Sequence, residues 1–450
     1  MTNKWSLLDW AFVGLLLVIF GVVVLHAPLS VGLSTLWPDS SLIIKSWKEI
    51  LLGASLLLCV VILTMRGKWG VIRSPILYLV AAFAGLNLLL LPVFYHGFEQ
   101  TIAGLFINLR FLLFFALVFV AIKLYPQLHR WFVLVFFGGA LVVLVFAILQ
   151  VTVLPHDILK YLGYGDSTIV PYLTVDENMN YIRINSTLRG PNPLGIYAVI
   201  TVTLVLAAWL RKPRKFTSRE QVLMGILAGG SVVALWASYS RSALVAGLIA
   251  IGVVVLTIYG RYWKKLGAGL WVAIGTVALG LIMVGGYAVT QQSTLVSQVI
   301  LHEDPNEGND TNSNDGHIES LVDGMDRLVR QPIGAGVGST GSASLLGDSP
   351  LIIENQYLFV AHETGWLGLG LFLAITYLVL AEAWRRRTWW LGLGVFASGV
   401  GIAVAGLVLP VWVDDTVSII WWGLAAIACA VGSGVATKRV KARKNGRAIK

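Results

Sequence analysis

Apolar runs long enough to cross a bilayer alternate with short polar connections along this chain. They fall at roughly 6–26, 47–65, 76–94, 102–122, 131–154, 193–210, 221–238, 242–259, 267–289, 356–381, 391–410 and 418–436. Runs of about 20 apolar residues cross as helices, because only a helix satisfies its own backbone hydrogen bonds in lipid. A membrane β-barrel would alternate apolar and polar residues over short strands, and these runs do not. The pattern predicts an all-α polytopic membrane protein with about 12 transmembrane helices in a single domain over residues 1–450.

Two polar stretches interrupt the rhythm, one from about Pro155 to Pro191 and one from about Gln291 to Asn355. In the second, HEDPNEGNDTNSNDG is acidic and rich in Asn and Gly, a loop composition. It leads into IESLVDGMDRLV, where Ile318, Leu321, Val322, Met325 and Leu328 recur at the spacing of one helix face. That spacing predicts an amphipathic helix lying on the outer face of the bundle.

Charge then orients the bundle. With the N-terminus inside, most of the 33 Lys and Arg fall in the inside connections and the tail after Thr437. Cationic loops stay cytoplasmic, so both termini are expected inside and 291–355 becomes an extracytoplasmic lid. The same bias accounts for the net charge of +10 through contact with anionic lipid headgroups, which leaves no need for a nucleic-acid partner. Trp5, Trp10, Trp37, Trp47, Trp384, Trp389, Trp390 and Trp412 lie near span ends, where indole rings anchor at the interface. Cys59 and Cys429 fall inside spans without metal-ligand spacing. No metal site and no cofactor are expected. The first apolar stretch has no A-x-A cleavage pattern and reads as a retained helix.

A few arginines oppose the charge bias and become the candidate site. Arg183 and Arg189 lie in YIRINSTLRGPNPLG before the sixth span, where Pro191 and Pro193 permit a helix start and Asn192 is placed to cap it. Arg241 lies in ASYSRSALV, at a tight outer turn with Ser238, Ser240 and Ser242. A guanidinium beside a helix N-terminus suits a phosphate, although lipid phosphates at the interface would be bound the same way. Arg110 lies well inside the fourth span, so it faces the bundle interior as a ligand group or as half of a buried pair. RQPIGAGVGSTG has the wrong spacing for a dinucleotide fingerprint and no G-K-[ST] for a P-loop; a backbone turn near a ligand is its remaining use. Glu354 opens the tenth span at the water interface, with His362 and Glu363 deeper. His317 stands at the loop helix. Asp414 and Asp415 read as solvated caps of the last outer turn.

Taken in order, these pieces resemble the O-antigen ligase and O-antigen polymerase superfamily of bacterial membrane glycosyltransferases. The family's arginine followed by Pro-Asn is matched by Arg183, Pro191 and Asn192, and its S-R-[ST] turn by Ser240, Arg241 and Ser242. Its P-x-x-G-x-G loop is matched over Pro332 to Val337 with one slip in spacing, and its H-N-x-x-L…E-x-G helix start by Asn355, Leu358, Glu363 and Gly365. A related pattern in the superfamily fits Gly316, His317, Ser320, Pro332 and Glu354. The resemblance implies an undecaprenyl-pyrophosphate-linked glycan donor, a glycan or lipid-glycan acceptor, polysaccharide-assembly partners, and a site outside the bacterial inner (cytoplasmic) membrane. Arg183, Arg241, Arg189 and Arg110 would hold pyrophosphate. The family histidine position holds Glu354, so Glu354 or His317 would take the acceptor proton. Polymerase is slightly preferred over ligase. The competing reading is a non-enzymatic flippase or transporter of lipid-linked glycans, which the span number also suits but for which the sequence has no two-half repeat.

Overall fold

The computed structural model describes residues 5–175, 178–211, 216–263 and 313–431, with backbone only at 261–263 and 313–321. Helices α1 (Leu7–Val22) and α2 (His26–Leu36) form one apolar rod joined by a 3₁₀ turn, Val23–Leu25. Then follow α3 (Trp47–Arg66), α4 (Pro75–Leu90), α5 (Phe98–Leu124) and α6 (Leu128–Thr152). A hairpin of β1 (Tyr172–Val175) and β2 (Asn178–Ile184) precedes α7 (Pro191–Arg211), α8 (Ser218–Ala237) and α9 (Arg241–Trp263). The remaining elements are α10 (Ser313–Arg330), α11 (Gln356–Arg385), α12 (Trp390–Ala405) and α13 (Asp415–Ala430).

Eight of the described helical segments are long and apolar enough to cross a membrane; α4, α12 and α13 are shorter apolar helices. Eleven of the expected spans therefore coincide with a helix, and the ninth, 267–289, lies outside the described residues. Sequence signals set the ends. Ser6 and Thr217 open α1 and α8 with reciprocal capping boxes to Asp9 and Glu220. Proline stands in the first turn of α4 and α7. Gly67 closes α3 in the left-handed conformation.

Helix α13 is buried along nearly its whole length and forms the centre of the bundle. Trp421 and Trp422 pack there with Phe111, Phe115 and Trp412. A Cβ on Gly423 would come within 2.7 Å of Phe20 and 2.9 Å of Phe114, so glycine permits this close approach. Trp412 is thus buried in the core rather than an interfacial anchor. Its place at a span end suggested an anchor, but the loop carrying it folds inward.

Polar ties separate two faces. On one, Asp9 accepts hydrogen bonds from Arg66 and Tyr125, and Arg386 pairs with Glu382 at 2.6 Å. These are ends of segments expected inside. Segments expected outside meet at the opposite ends of the same helices. Among the described residues, one short hairpin accompanies the otherwise all-α fold. It is antiparallel, with Leu173 opposite Arg183 and an irregularity between Thr174 and Val175. Two strands form here because the Pro155–Pro191 stretch is too polar to be a span and is supplied with β-forming Tyr172, Thr174, Val175, Tyr181, Ile182 and Ile184.

Candidate functional site: an arginine-lined mouth

Strand β2 and the α8–α9 turn bring two of the singled-out arginines to one place. Half-buried Arg183 donates from Nε to the Ser238 carbonyl at 3.0 Å and from a terminal nitrogen to Asn192 Oδ1 at 2.8 Å. Asn192 was expected to cap α7; it lies instead inside the first turn and serves as an acceptor for Arg183. Arg241, also half-buried, is the first residue of α9, three positions beyond Ser238. Tyr181 and Tyr239 meet edge to face with ring centroids 6.2 Å apart, which presses the strand onto the turn.

The N-termini of α7 and α9 adjoin here. A Cβ on Gly195 would lie 2.7 Å from Ala243 Cβ and 2.9 Å from Ser238 Oγ, so glycine in the first turn of α7 allows the contact. Each helix start presents the positive end of its dipole, although in α7 Pro191 and Pro193 carry no N–H and the Leu194 N–H bonds the Gly190 carbonyl. Two such ends and two guanidinium groups suit an anion with several oxygens. Among the described residues, Ser186 (φ 52°) and Tyr239 (φ 46°) are the non-glycine positions with left-handed backbone. Both lie in the segments that carry these arginines. Such conformations persist only where the surroundings enforce them; for Ser186 its N–H donates to Gln150 Oε1 at 3.0 Å and its hydroxyl to the Val143 carbonyl at 2.7 Å.

Arg189 is exposed farther along the same rim and lies near Asp414. Asp414 caps α13 through the Val417 N–H at 2.8 Å. Burial raises its pKa, opposed by that hydrogen bond and by the charges of Arg189 and Arg110. Asp415 is not a solvated cap. It lies among Arg110, Lys48 at 3.1 Å and His26 at 2.8 Å, and Lys48 also reaches Glu49 at 3.2 Å. The indole N–H of Trp47 donates to His26 Nδ1 at 3.0 Å. The other ring nitrogen of His26, Nε2, faces both the Asp415 carboxylate and the Lys48 ammonium, the latter at 3.2 Å. Arg110 is buried as expected, and its guanidinium is committed to Asp415, Glu49 and the Val413 carbonyl. Of the two uses open to it, the structure displays the buried pair. It ties α2, α3, α5 and α13 together behind the rim.

The glycine-rich stretch has a definite place. Gly334, Gly336, Gly338 and Gly341 all have positive φ, and so does Gly365 inside α11. Helix α11 breaks at Gly365, and the loop enters the break. Ala335 N–H donates to the His362 carbonyl at 2.6 Å, Gly336 N–H to the Glu363 carbonyl at 3.2 Å, and Trp366 N–H to the Pro332 carbonyl at 2.9 Å. The backbone groups freed by the break are thereby satisfied, which a broken helix in lipid requires. Fully buried Glu363 completes the joint. It accepts from Gly338 N–H at 3.0 Å, Thr340 N–H at 3.4 Å and Asn108 Nδ2 at 2.6 Å, and Asn108 also donates to Asn87 Oδ1 at 3.0 Å. Gly365→Ala would add a Cβ against the Pro332 carbonyl at a left-handed position. The expected outcome is loss of folded protein, measured by yield and monodispersity in detergent, whereas Gly370→Ala, which meets nothing within 4 Å, leaves both unchanged.

In comparison with known families, the O-antigen ligase family model matches residues 226–373, about a third of the chain. That match supports kinship of this stretch with the O-antigen ligase and polymerase superfamily. No curated protein matches the chain. The family match implies a glycosyltransferase-like enzyme, and with the apolar helices a multi-pass membrane protein. Arg241, His317, Glu354 and Glu363 lie inside the matched stretch, and Arg110, Arg183 and Arg189 lie before it.

Glu354 is exposed one residue before Asn355. Asn355 caps α11 through the Tyr357 and Leu358 N–H groups and donates to the Leu407 carbonyl at 2.7 Å. His317 stands on α10, and its side chain lies outside the described residues. The sequence reading singled out Glu363 but passed over Asn87 and Asn108. Their signal was present: each is an amide inside an apolar span, LNLLL and INLRF, where an amide must find a partner.

Proposed function

We propose that the chain is a membrane glycosyltransferase that transfers or polymerises glycan units from an undecaprenyl-pyrophosphate-linked donor at the outer face of the bacterial cytoplasmic membrane. The observation that carries this reading is the junction of Arg183, Arg241 and two helix N-termini at one mouth. An acceptor hydroxyl oxygen attacks the anomeric carbon, the bond from that carbon to the pyrophosphate oxygen breaks, and the pyrophosphate leaves with the electron pair. Arg183 and Arg241 offset its charge, with Arg189 at the edge, and that stabilisation is the main catalytic contribution. Glu354 takes the hydroxyl proton, with His317 the alternate acceptor. Arg110 keeps the rim in place from behind.

The purified protein is expected to lengthen or transfer a lipid-linked oligosaccharide without any soluble nucleotide sugar. Movement of the lipid across vesicles with no new glycosidic bond would establish the transporter reading instead. In the same assay Glu354→Gln should lose at least about tenfold in rate, since a positioned base contributes about 10²–10⁴-fold. An unchanged rate and pH profile from pH 5 to 9 would remove Glu354 from the mechanism. The side of the membrane is tested by cysteine labelling. Ser313→Cys should react with an impermeant reagent in intact cells, and reaction only after permeabilisation would reverse the topology.

A further inference from the structure

Helix α10 keeps an apolar stripe that no described residue covers. Its seam with α11 is narrow. A Cβ on Gly324 would lie 2.7 Å from Leu358, and the Leu328 carbonyl accepts from the Trp366 indole N–H at 2.6 Å. At about 100° per residue, Met325, Val329 and Val322 follow Leu328 around the helix within one narrow arc. They are 55%, 67% and 63% exposed. The next arc is wholly polar: Asp326, Arg330 and Asp323 are exposed, with Arg330 paired to Asp326 at 2.8 Å. The surface of α10 thus runs from protein seam to apolar stripe to charged strip.

The apolar stripe adjoins the flank of a helix able to span the membrane. Trp366 and Leu367 of α11 are 55% and 65% exposed. The bond from Trp366 to Leu328 places that flank directly against the stripe side of the seam. Ile333, just beyond α10, is exposed as well. Helix α10 itself is not among the segments apolar enough to cross. A helix with one apolar and one charged face and low overall hydrophobicity lies in the plane of the bilayer surface. Tryptophan with its N–H bonded and its ring exposed also favours that layer.

We propose that α10 is an interfacial helix, with Val322, Met325 and Val329 seated in the lipid of the headgroup layer and Asp323, Asp326 and Arg330 facing water. The occupant of the stripe is the bilayer surface, continuous with the lipid around α11. The segment that feeds the glycine-rich loop is then held by lipid on one side and by α11 on the other. This placement is independent of the glycan-transfer reading, because it is measured as depth rather than activity.

The test uses the full chain in proteoliposomes, with Cys59 and Cys429 replaced by alanine. An environment-sensitive fluorophore is attached at Met325→Cys, at Val329→Cys or at Asp323→Cys. Lipids with a nitroxide near the headgroup should lower the emission at 325 and 329 by about twofold or more, and aqueous iodide should have little effect there, as for an apolar face sunk to the acyl boundary. At Asp323→Cys the order of the two quenchers should reverse. Iodide quenching at 325 and 329 equal to that at 323 would overturn the proposal. Protection of 325 and 329 from both quenchers would overturn it too, because protein would then cover the stripe.

Discussion

Arg241→Lys and Arg183→Ala are each expected to lower the proposed glycan transfer by about 10²–10³-fold, the size seen when one preorganised donor to a developing anion is removed. Lysine keeps the charge at 241 but loses the planar fork that can meet two phosphate oxygens at once. Arg183 also ties β2 to the α8–α9 turn and to Asn192, so its replacement needs a folding control. Arg183→Lys retains charge and should recover part of the loss if charge is what matters. Thermal unfolding in detergent, read beside product length in cells, separates the two effects. Near-normal products from both Arg241→Lys and Arg183→Ala would remove the arginine mouth from the reaction. Loss of activity only in proportion to loss of folded protein would reduce Arg183 to a structural tie.

Glu363→Ala is expected to destabilise the joint between the glycine-rich loop and α11 strongly. It leaves the Gly338 and Thr340 N–H groups and the Asn108 amide without their acceptor in a buried place. Each orphaned donor costs about 1–3 kcal/mol, and the three together exceed what a surface substitution does. Glu363→Gln should also be impaired, because one carboxylate oxygen becomes an NH₂ that faces another donor. The measurement is limited proteolysis at 331–341 together with thermal unfolding in detergent. Cleavage within the loop at a temperature where the parent chain resists is the expected result. A Glu363→Ala protein with parental stability and an uncut loop would mean that the glycine loop holds its place in the α11 break through backbone bonds alone.

The sequence by itself determined the class of this protein, because membrane burial is a one-dimensional rule. A run of apolar residues must be a helix in lipid whatever its neighbours do. Eleven of the spans written from hydropathy alone therefore meet a helix. The loop helix at 313–330 was legible for a similar reason, since helical periodicity is a local property. Arg241 and Arg183 were singled out as cations on the side expected to have few, and the structure brings the segments that carry them together.

Partner choice was not legible, because it depends on which faces meet. Nothing in INLRFLL says that Arg110 finds Asp415 and Glu49, from segments far away in the chain. Nor does the sequence show that Asn192 accepts from Arg183 rather than capping α7, since both uses need the same side chain at the same helix end. The glycine run could be read only as a turn of unknown purpose. Its purpose appears when Gly365 breaks α11 and exposes two carbonyls and an N–H that the loop alone can satisfy. Trp412 was misplaced for the opposite reason. Its position at a span end fits an anchor, but tertiary packing turns the loop inward and buries the ring against Trp421 and Trp422. Local composition fixed where the chain enters lipid; long-range contact between polar groups that lipid cannot solvate decided how the site is held.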